Sequence, residues 1–316
     1  MTSHRLACEP SNLHGSFAPG RAPILTVNPG DEVRVSVLDA GWHLLEQPRP
    51  LSYESMVQLA DRPTEALAGH CLIGPIAVRG AKAGQTLEVR VLEVVPGSWG
   101  WGAAGGWESP LNSALGLGPG SAESRLIWEI DRELHQARNQ HGDVVRIRPF
   151  PGVIGMTPPE PGFHSTIPPR RWGGNLDCRE LVAGSRLFLP IPVDDALLSL
   201  GDGHAAQGDG ELSGIAVECG LERLTVEVHL HEELSLDMPR AETPAGRITF
   251  GVGDTLDEAA VHAVDGMLRW MNELWGLPRP RALALASLAV DLRVTQTVNG
   301  VVGCHAVLVE DRITFG

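Results

Sequence analysis

At 316 residues, 43% hydrophobic and 20% charged, the chain has enough apolar material for a sizeable core, which excludes wholesale disorder. Its formal charge of −14 opposes phosphate backbones and anionic lipid surfaces, so neither nucleic acid nor membrane is expected as a partner. The 37 glycines and 24 prolines approach a fifth of the chain, against roughly 12% in average usage, with no three-residue period; this points to turn-rich β architecture.

In chain order, the N-terminus offers no apolar signal core, and no apolar run approaches the length of a membrane span. The five cysteines (Cys8, Cys71, Cys178, Cys219, Cys304) are odd in number and widely spaced, which fits a reduced, cytoplasmic setting and no thiolate zinc site. A turn at Asn28-Pro29-Gly30-Asp31 leads into Val33, Val35 and Val37, alternating with Arg34 and Ser36 as in a strand with one wet face. The pattern returns after Gly84 (Leu87, Val89, Val91, with Glu88 and Arg90 between) and after Gly184 (Leu187, Leu189). Short strands are also expected at 144–148, 197–200, 213–218, 224–230, 247–250 and 292–298. Two Gly/Pro-rich stretches, 96–120 with Trp99, Trp101 and Trp107, and 150–174, read as long irregular binding or lid loops. One long helix is expected: Asp254 caps it, Leu256, Ala260, Val264, Met267, Met271 and Leu274 form its apolar face, and Gly276 and Pro278 close it. A shorter helix through 283–288 follows. The fold class is therefore mainly β: a β-sandwich-like core with a C-terminal α+β subregion. We expect a single catalytic unit over 1–316, with approximate subregions 20–235 (β-rich) and 236–316 (α+β).

The densest polar run is Gly201-Asp202-Gly203-His204, continuing to Gln207, Asp209 and Glu211, with Glu218 seven residues on. On an extended segment Asp202 and His204 share a face. Glu218 sits among Ile215, Val217 and Cys219, where a carboxylate is costly unless it is paired or metal-bound. Two strands joined by a glycine-rich loop could bring one imidazole and two carboxylates to a divalent cation; zinc suits that set, with calcium as the alternative. Alternatively these are turn carboxylates beside a satisfied histidine. Glu211 could serve as a general base. In Gly173-Gly174-Asn175-Leu176-Asp177-Cys178, Asn175 could donate to a carbonyl oxygen and Asp177 could bind metal or orient a ligand, unless the segment is a plain turn. His70 reads as structural, and His164, in the second long loop, is ambiguous. His229 and His231 read as a solvated face. No nucleophile elbow, phosphate loop or dinucleotide fingerprint is present.

Several segments together resemble the acetamidase/formamidase family: Gly74-Pro75-Ile76-Ala77-Val78-Arg79-Gly80-Ala81, Pro96-Gly97-Ser98-Trp99-Gly100-Trp101, Gly173 to Asp177, Gly201 to Glu211, and Val290 to Gln296 with Asn299-Gly300. They run in collinear order from about residue 20 onward. The resemblance implies metal-dependent hydrolysis of a small carboxamide, formamide- or acetamide-like, to carboxylate and ammonia. On this reading Asp202, His204 and Glu218 hold the metal. Glu211 or Asp177 accepts the water proton, and Asn175 polarises the carbonyl. Trp101, His164 and Gln207 contact substrate, with the tryptophan loop closing over a small acyl pocket. A homodimer or higher homo-oligomer is expected by base rate. The rival readings are a non-catalytic, metal-stabilised protein that binds a small ligand, and a hydrolase of another amide or acyl bond.

Overall fold

The computed structural model describes residues 1–45, 49–50, 52–60, 62–63 and 69–315. Two large sheets dominate. Among the described residues the first has nine strands, in the order Ser3–Leu6, Glu32–Val37, Leu221–His231, Thr86–Pro96, Arg186–Pro190, Arg240–Thr243, Gly246–Gly253, Val302–Leu308 and Val290–Gln296. The second runs Val144–Arg146, Gln136–Asn139, Ser124–Asp131, Trp99–Ala104, Glu218–Cys219, Leu198–His204, Phe150–Met156 and Gly173–Asn175. Strand Leu72–Val78 also pairs with Leu198–His204.

The alternating valines do what their period demands. Val33, Val35 and Val37 from one sheet, with Leu87, Val89 and Val91 beside them, pack on Ile73, Ile76, Ile154, Leu198 and Leu200 from the other. This shared interior makes the fold the β-sandwich-like, mainly β architecture expected. Full burial of each such side chain contributes on the order of 1.5–3 kcal/mol. Glu88 departs from the wet-face expectation: it is buried and held by Arg186, Arg90 and His231. His229 and His231 likewise pair with Glu227 and Glu88.

Both stretches expected as irregular contain strands, Trp99–Ala104 in one and Phe150–Met156 and Gly173–Asn175 in the other. In Trp99–Ala104 glycine takes the place of the polar partner, and Phe150–Met156 is buried at every position, so the period-two signal disappears although the backbone is extended. Trp99 and Trp101 consequently stand on a sheet and pack with Ile127, Tyr53, Met56 and Ile215. Of the segment expected at 213–218, only Glu218–Cys219 is strand.

At the C-terminus, helix α1 (Leu256–Trp275) is capped by Thr255, whose side chain accepts from Glu258 N, rather than by Asp254. Gly276, at φ 63°, closes it. Its inner face is Ala259, Ala263, Met267, Leu268, Trp270 and Met271, rotated from the expected one, and Leu256 and Leu274 are exposed. The cause is close approach to the sheet: a Cβ on Gly251 would lie 2.5 Å from Ala263 N, so only alanine-sized residues fit over that strand. Helix α2 (Arg279–Ala289) follows, longer than expected at both ends. Hydrogen bonding between Arg186–Pro190 and Arg240–Thr243 carries the first sheet across residue 235. No helix of the described residues is long and apolar enough to cross a membrane, and no disulfide joins the cysteines among the described residues.

Candidate active site

Strand Leu198–His204 lies between Phe150–Met156 and Glu218–Cys219, with His204 directly opposite Glu218. That pairing, made by ladder hydrogen bonds alone, brings together the imidazole and the carboxylate singled out in the sequence. His204 Nε2 lies 3.3 Å from Asp202 Oδ2 and 3.4 Å from Glu218 Oε2. A hairpin-like return places Glu211 nearby, and the segment after Gly173–Asn175 delivers Asp177. Asp177, Glu211 and His204 form one trio and Asp202, His204 and Glu218 another, each with ligand atoms within 4.8 Å of one another. All five side chains are buried.

Three of these carboxylates sit on backbone that L-residues avoid: Asp177 at φ 48°, Asp202 at 57° and Glu211 at 44°. Each such residue costs of order 1 kcal/mol or more, a strain that persists where surrounding contacts hold it and that concentrates at functional sites. Asp202 is therefore not on a regular strand. Its register neighbours Gly201 and Gly203 face Val153 and Pro151, which leaves Gly152 opposite it. A Cβ at Gly152 would collide with Asp202 Oδ2 and lie 2.9 Å from both Asp177 Oδ1 and His204 Cε1. Glycine there lets the backbone form the floor of the cluster. The Gly152 carbonyl also accepts from the Leu176 and Asp177 amides.

The glycines flanking Asp202 have the opposite task. A Cβ on Gly201 would lie 2.7 Å from Leu72 Cδ2, and one on Gly203 2.6 Å from Leu221 Cγ. The Gly-Asp-Gly-His pattern thus combines a polar face toward the site with a side-chain-free face toward the packed interior.

Hydrogen bonding fixes the histidine tautomer. Gln207 Nε2 donates to the Asp177 carbonyl at 2.8 Å, so its Oε1 accepts from His204 Nδ1, also at 2.8 Å. Nε2 then faces Asp202 and Glu218, and in the neutral ring, the form that binds metal, its lone pair has the orientation that outer partners impose on metal-binding imidazoles. Glu218 Oε1 accepts from Ala216 N, Asp177 Oδ2 from Asn299 Nδ2, and Asn175 Nδ2 donates to the Ile167 carbonyl. Left over are Asn175 Oδ1, Asp177 Oδ1, Asp202 Oδ1, Glu211 Oε2 and Glu218 Oε2, buried acceptors with no donor. Four of these belong to the carboxylates grouped with His204, and orphaned oxygens beside an imidazole fit a hard or borderline cation, since each would otherwise bear its full desolvation penalty.

Electrostatics agree. Burial pushes Glu211 up to about 7 and raises Glu218. Burial and the neighbouring Glu211 push Asp177 well above the carboxylate range. Burial would also raise Asp202, but His204 and His70 hold it down; burial would lower His204, but Glu218 and Asp202 hold it high. Glu211 and Gln207 also line a cleft of about 560 Å³, with Leu126, Trp128, Leu212 and Val217 beside them.

Residues 2–165 and 160–244 match the model described as the Acetamidase/Formamidase family. The chain belongs to that family. It is 27% identical over 253 residues to a formamidase of Methylophilus methylotrophus, spanning 64% of this chain and 60% of the relative. It is 26% identical over 279 residues to an acetamidase of Mycolicibacterium smegmatis, spanning 70% and 65% respectively. The chain thus covers less than two thirds of the length of these relatives. A solved acetamidase from Bacillus halodurans superposes with a TM-score of 0.81 at 28% identity, covering 96% of each chain. A gamma lactamase from Delftia acidovorans shares the fold at a TM-score of 0.61 and 21% identity.

Within this frame, Asp177, Asp202, His204, Glu211 and Glu218 converge as a set, whereas Asn175, two residues before Asp177, is buried with its amide bound to the Ile167 carbonyl. Gln207, expected on the substrate, has its amide committed at both ends to His204 and Asp177. Trp101 is opposite Glu218 in register, but its Nε1 donates to Asp39 Oδ2 at 2.8 Å; Asp39 also holds His43. His164 lies on a two-stranded ribbon with Phe17, binds the Glu160 carbonyl and, among the described residues, hydrogen-bonds to none of the cluster. His70 is hydrogen-bonded to Thr166 and acts on Asp202 through its charge. Gly152 and Asn299 escaped the sequence reading as site residues. Asn299-Gly300 carried a signal as part of the family-like C-terminal motif; Gly152 carried none.

Proposed function

We propose that the chain hydrolyses small linear carboxamides: water oxygen joins the carbonyl carbon, the C–N bond breaks, and carboxylate and ammonium leave. The observation that supports this most is the buried His204 with four carboxylates and their orphaned oxygens, one of these carboxylates, Glu211, lining a mainly apolar cleft, in a member of this family. We assign Asp202, His204 and Glu218 to a divalent cation, zinc by the donor set, with calcium as the alternative. Such an ion, when bound, supplies Lewis-acid polarisation and lowers the pKa of water. Gln207 keeps the His204 lone pair aimed into the site. Glu211, pushed up to about 7, is matched to accepting a proton from the attacking water and returning it to the departing amine near neutral pH. Asp177, in contact with Glu211, shares that proton. Asn175 Oδ1 is an acceptor and suits the substrate N–H better than its carbonyl oxygen.

Ammonia release from formamide, acetamide and propionamide, before and after chelator treatment, tests the reading. Release that chelation abolishes and zinc restores is expected. A metal-replete protein that releases no ammonia from any of the three sinks it.

A further inference from the structure

The apolar cleft shares Arg146, Ala206 and Gln207 with a second recess of about 310 Å³, lined also by Ile147, Arg148 and Arg179. Three guanidinium groups lining one small recess is unexpected in a chain of charge −14. Local carboxylates neutralise them only in part. Buried Glu180 lies beneath, 3.9 Å from Arg148 Nη1 and 3.8 Å from Arg179 Nε, but its close contact is Arg293 Nη1 at 2.9 Å, and His305 Nε2 stands at 3.5 Å. Asp209 is 4.0 Å from Arg179, and Arg146 makes no ion pair among the described residues.

Cys178, Glu180 and His305 place ligand atoms within 4.8 Å of one another, which by itself resembles a cation site. The surrounding arginines argue against a cation: Glu180 faces Arg148, Arg179 and Arg293, and although Asp209 lies 4.0 Å from Arg179 and Asp291 3.6 Å from Arg293, Arg146 has no carboxylate partner among the described residues, so the surplus charge is positive and the missing partner is an anion. Arg148 and Arg179 are only partly exposed, with side chains 42% and 37% accessible, and guanidinium forks match carboxylate geometry.

We propose that Arg146, Arg148 and Arg179 form a carboxylate-binding subsite that extends the amide site. The substrates it selects are mono-amides of short dicarboxylic acids, the acyl chain lying along the apolar cleft. This rests on the amidase reading. Hydrolysis of such a substrate gives a dicarboxylate and ammonium.

Two measurements separate the two ideas. The first compares kcat/KM for malonamate, succinamate and glutaramate with that for neutral amides of equal length, in the wild type and in the Arg146→Gln/Arg148→Gln double variant. The best acid amide should exceed its neutral counterpart by about tenfold, the value of one charge-assisted contact, and the double variant should lose that preference. High salt should erode it as well. The second is calorimetric titration of the wild type and the double variant with glutarate and with acetate, which needs no turnover. Arg-dependent binding of glutarate without hydrolysis of any amide would keep the subsite and discard the amidase reading. Amide hydrolysis with no preference for the acid amides, and glutarate binding that the double variant leaves intact or that is absent, would discard the subsite alone. Arginine variants with unchanged thermal midpoints confirm that the comparison is between folded proteins.

Discussion

Gly152→Ala tests the site's construction most directly, because it adds one methyl group and removes no functional atom. The new Cβ would lie 2.9 Å from Asp177 Oδ1 and from His204 Cε1, and closer still to Asp202 Oδ2. Ordinary contact begins near 3.4 Å, so the first two must retreat by about half an ångström and Asp202 by more. None can do so freely: Asp177 is tied to Asn299 and His204 to Gln207, and Asp202 sits on strained backbone. Misplacing catalytic groups by about 1 Å costs on the order of 10²-fold, so kcat/KM should fall by roughly 10- to 100-fold. Overpacking adds a stability loss of about 1–3 kcal/mol, measurable as a lowered urea midpoint. Initial rates of ammonia release, corrected for the folded fraction by circular dichroism, isolate the first effect. Gly20→Ala is the control, since nothing lies within 4 Å of its added Cβ. A Gly152→Ala protein that kept more than half the wild-type kcat/KM would refute the claim that this backbone floor sets the cluster's geometry.

Three further outcomes are expected. Glu211→Gln removes the proton acceptor at constant shape, so turnover should fall by about 10²-fold or more while elemental analysis shows unchanged metal; near-wild-type turnover would show that another group is the base. Gln207→Leu frees His204 Nδ1 and the Asp177 carbonyl together, and zinc affinity, followed by competition with a chromophoric chelator, should weaken by about 10- to 100-fold. Away from the site, burial would raise Glu88, yet Arg186, Arg90 and His231 hold it at about 2, below the ordinary 4.5. Its contribution is therefore complete above about pH 4.5 and lost as pH falls toward 2. Allowing for water screening of the half-exposed arginines, Glu88→Gln should cost about 1–2 kcal/mol at pH 7 in urea unfolding, a difference that shrinks steadily below pH 4.5. A deficit that stays constant from pH 7 to pH 3 would show that packing, not charge, is responsible.

The sequence disclosed residues whose chemistry conflicts with their surroundings. Glu218 among Val217 and Cys219 is a carboxylate without a reason to be buried, and a ligand role supplies one; Asp202 and His204 are linked to it by one strand pairing. Val33, Val35 and Val37 were equally legible because their period is local. What stayed hidden depends on segments that meet only in the fold. Asn299 reaches Asp177 from 122 residues away, and nothing at either position announces the other. Gln207 offers both a donor and an acceptor, so sequence could not tell a substrate contact from a clamp on His204. The tryptophans at 99 and 101 read as loop because their neighbours are glycines, yet those glycines belong to a strand and lie against the backbone of Ala216 and Glu218.

That misreading has a general cause. Glycine was counted as a marker of turns, which is sound where φ is positive and nothing crowds the backbone, as at Gly30, Gly84 and Gly142. A second population serves a different end. At Gly201, Gly203 and Gly251 φ is not in the left-handed region, and an added Cβ would strike a neighbouring strand or helix. Composition cannot separate these populations, because each contributes one glycine to the same total. Their neighbours can: a turn glycine follows polar residues at a strand's end, whereas Gly201 and Gly203 alternate with Asp202 and His204, two side chains that must face away from whatever the glycines touch. Such alternation identifies a strand with one face pressed against the interior and the other reserved for chemistry. In this chain that strand is Leu198–His204, which carries Asp202 and His204 beside the backbone floor at Gly152.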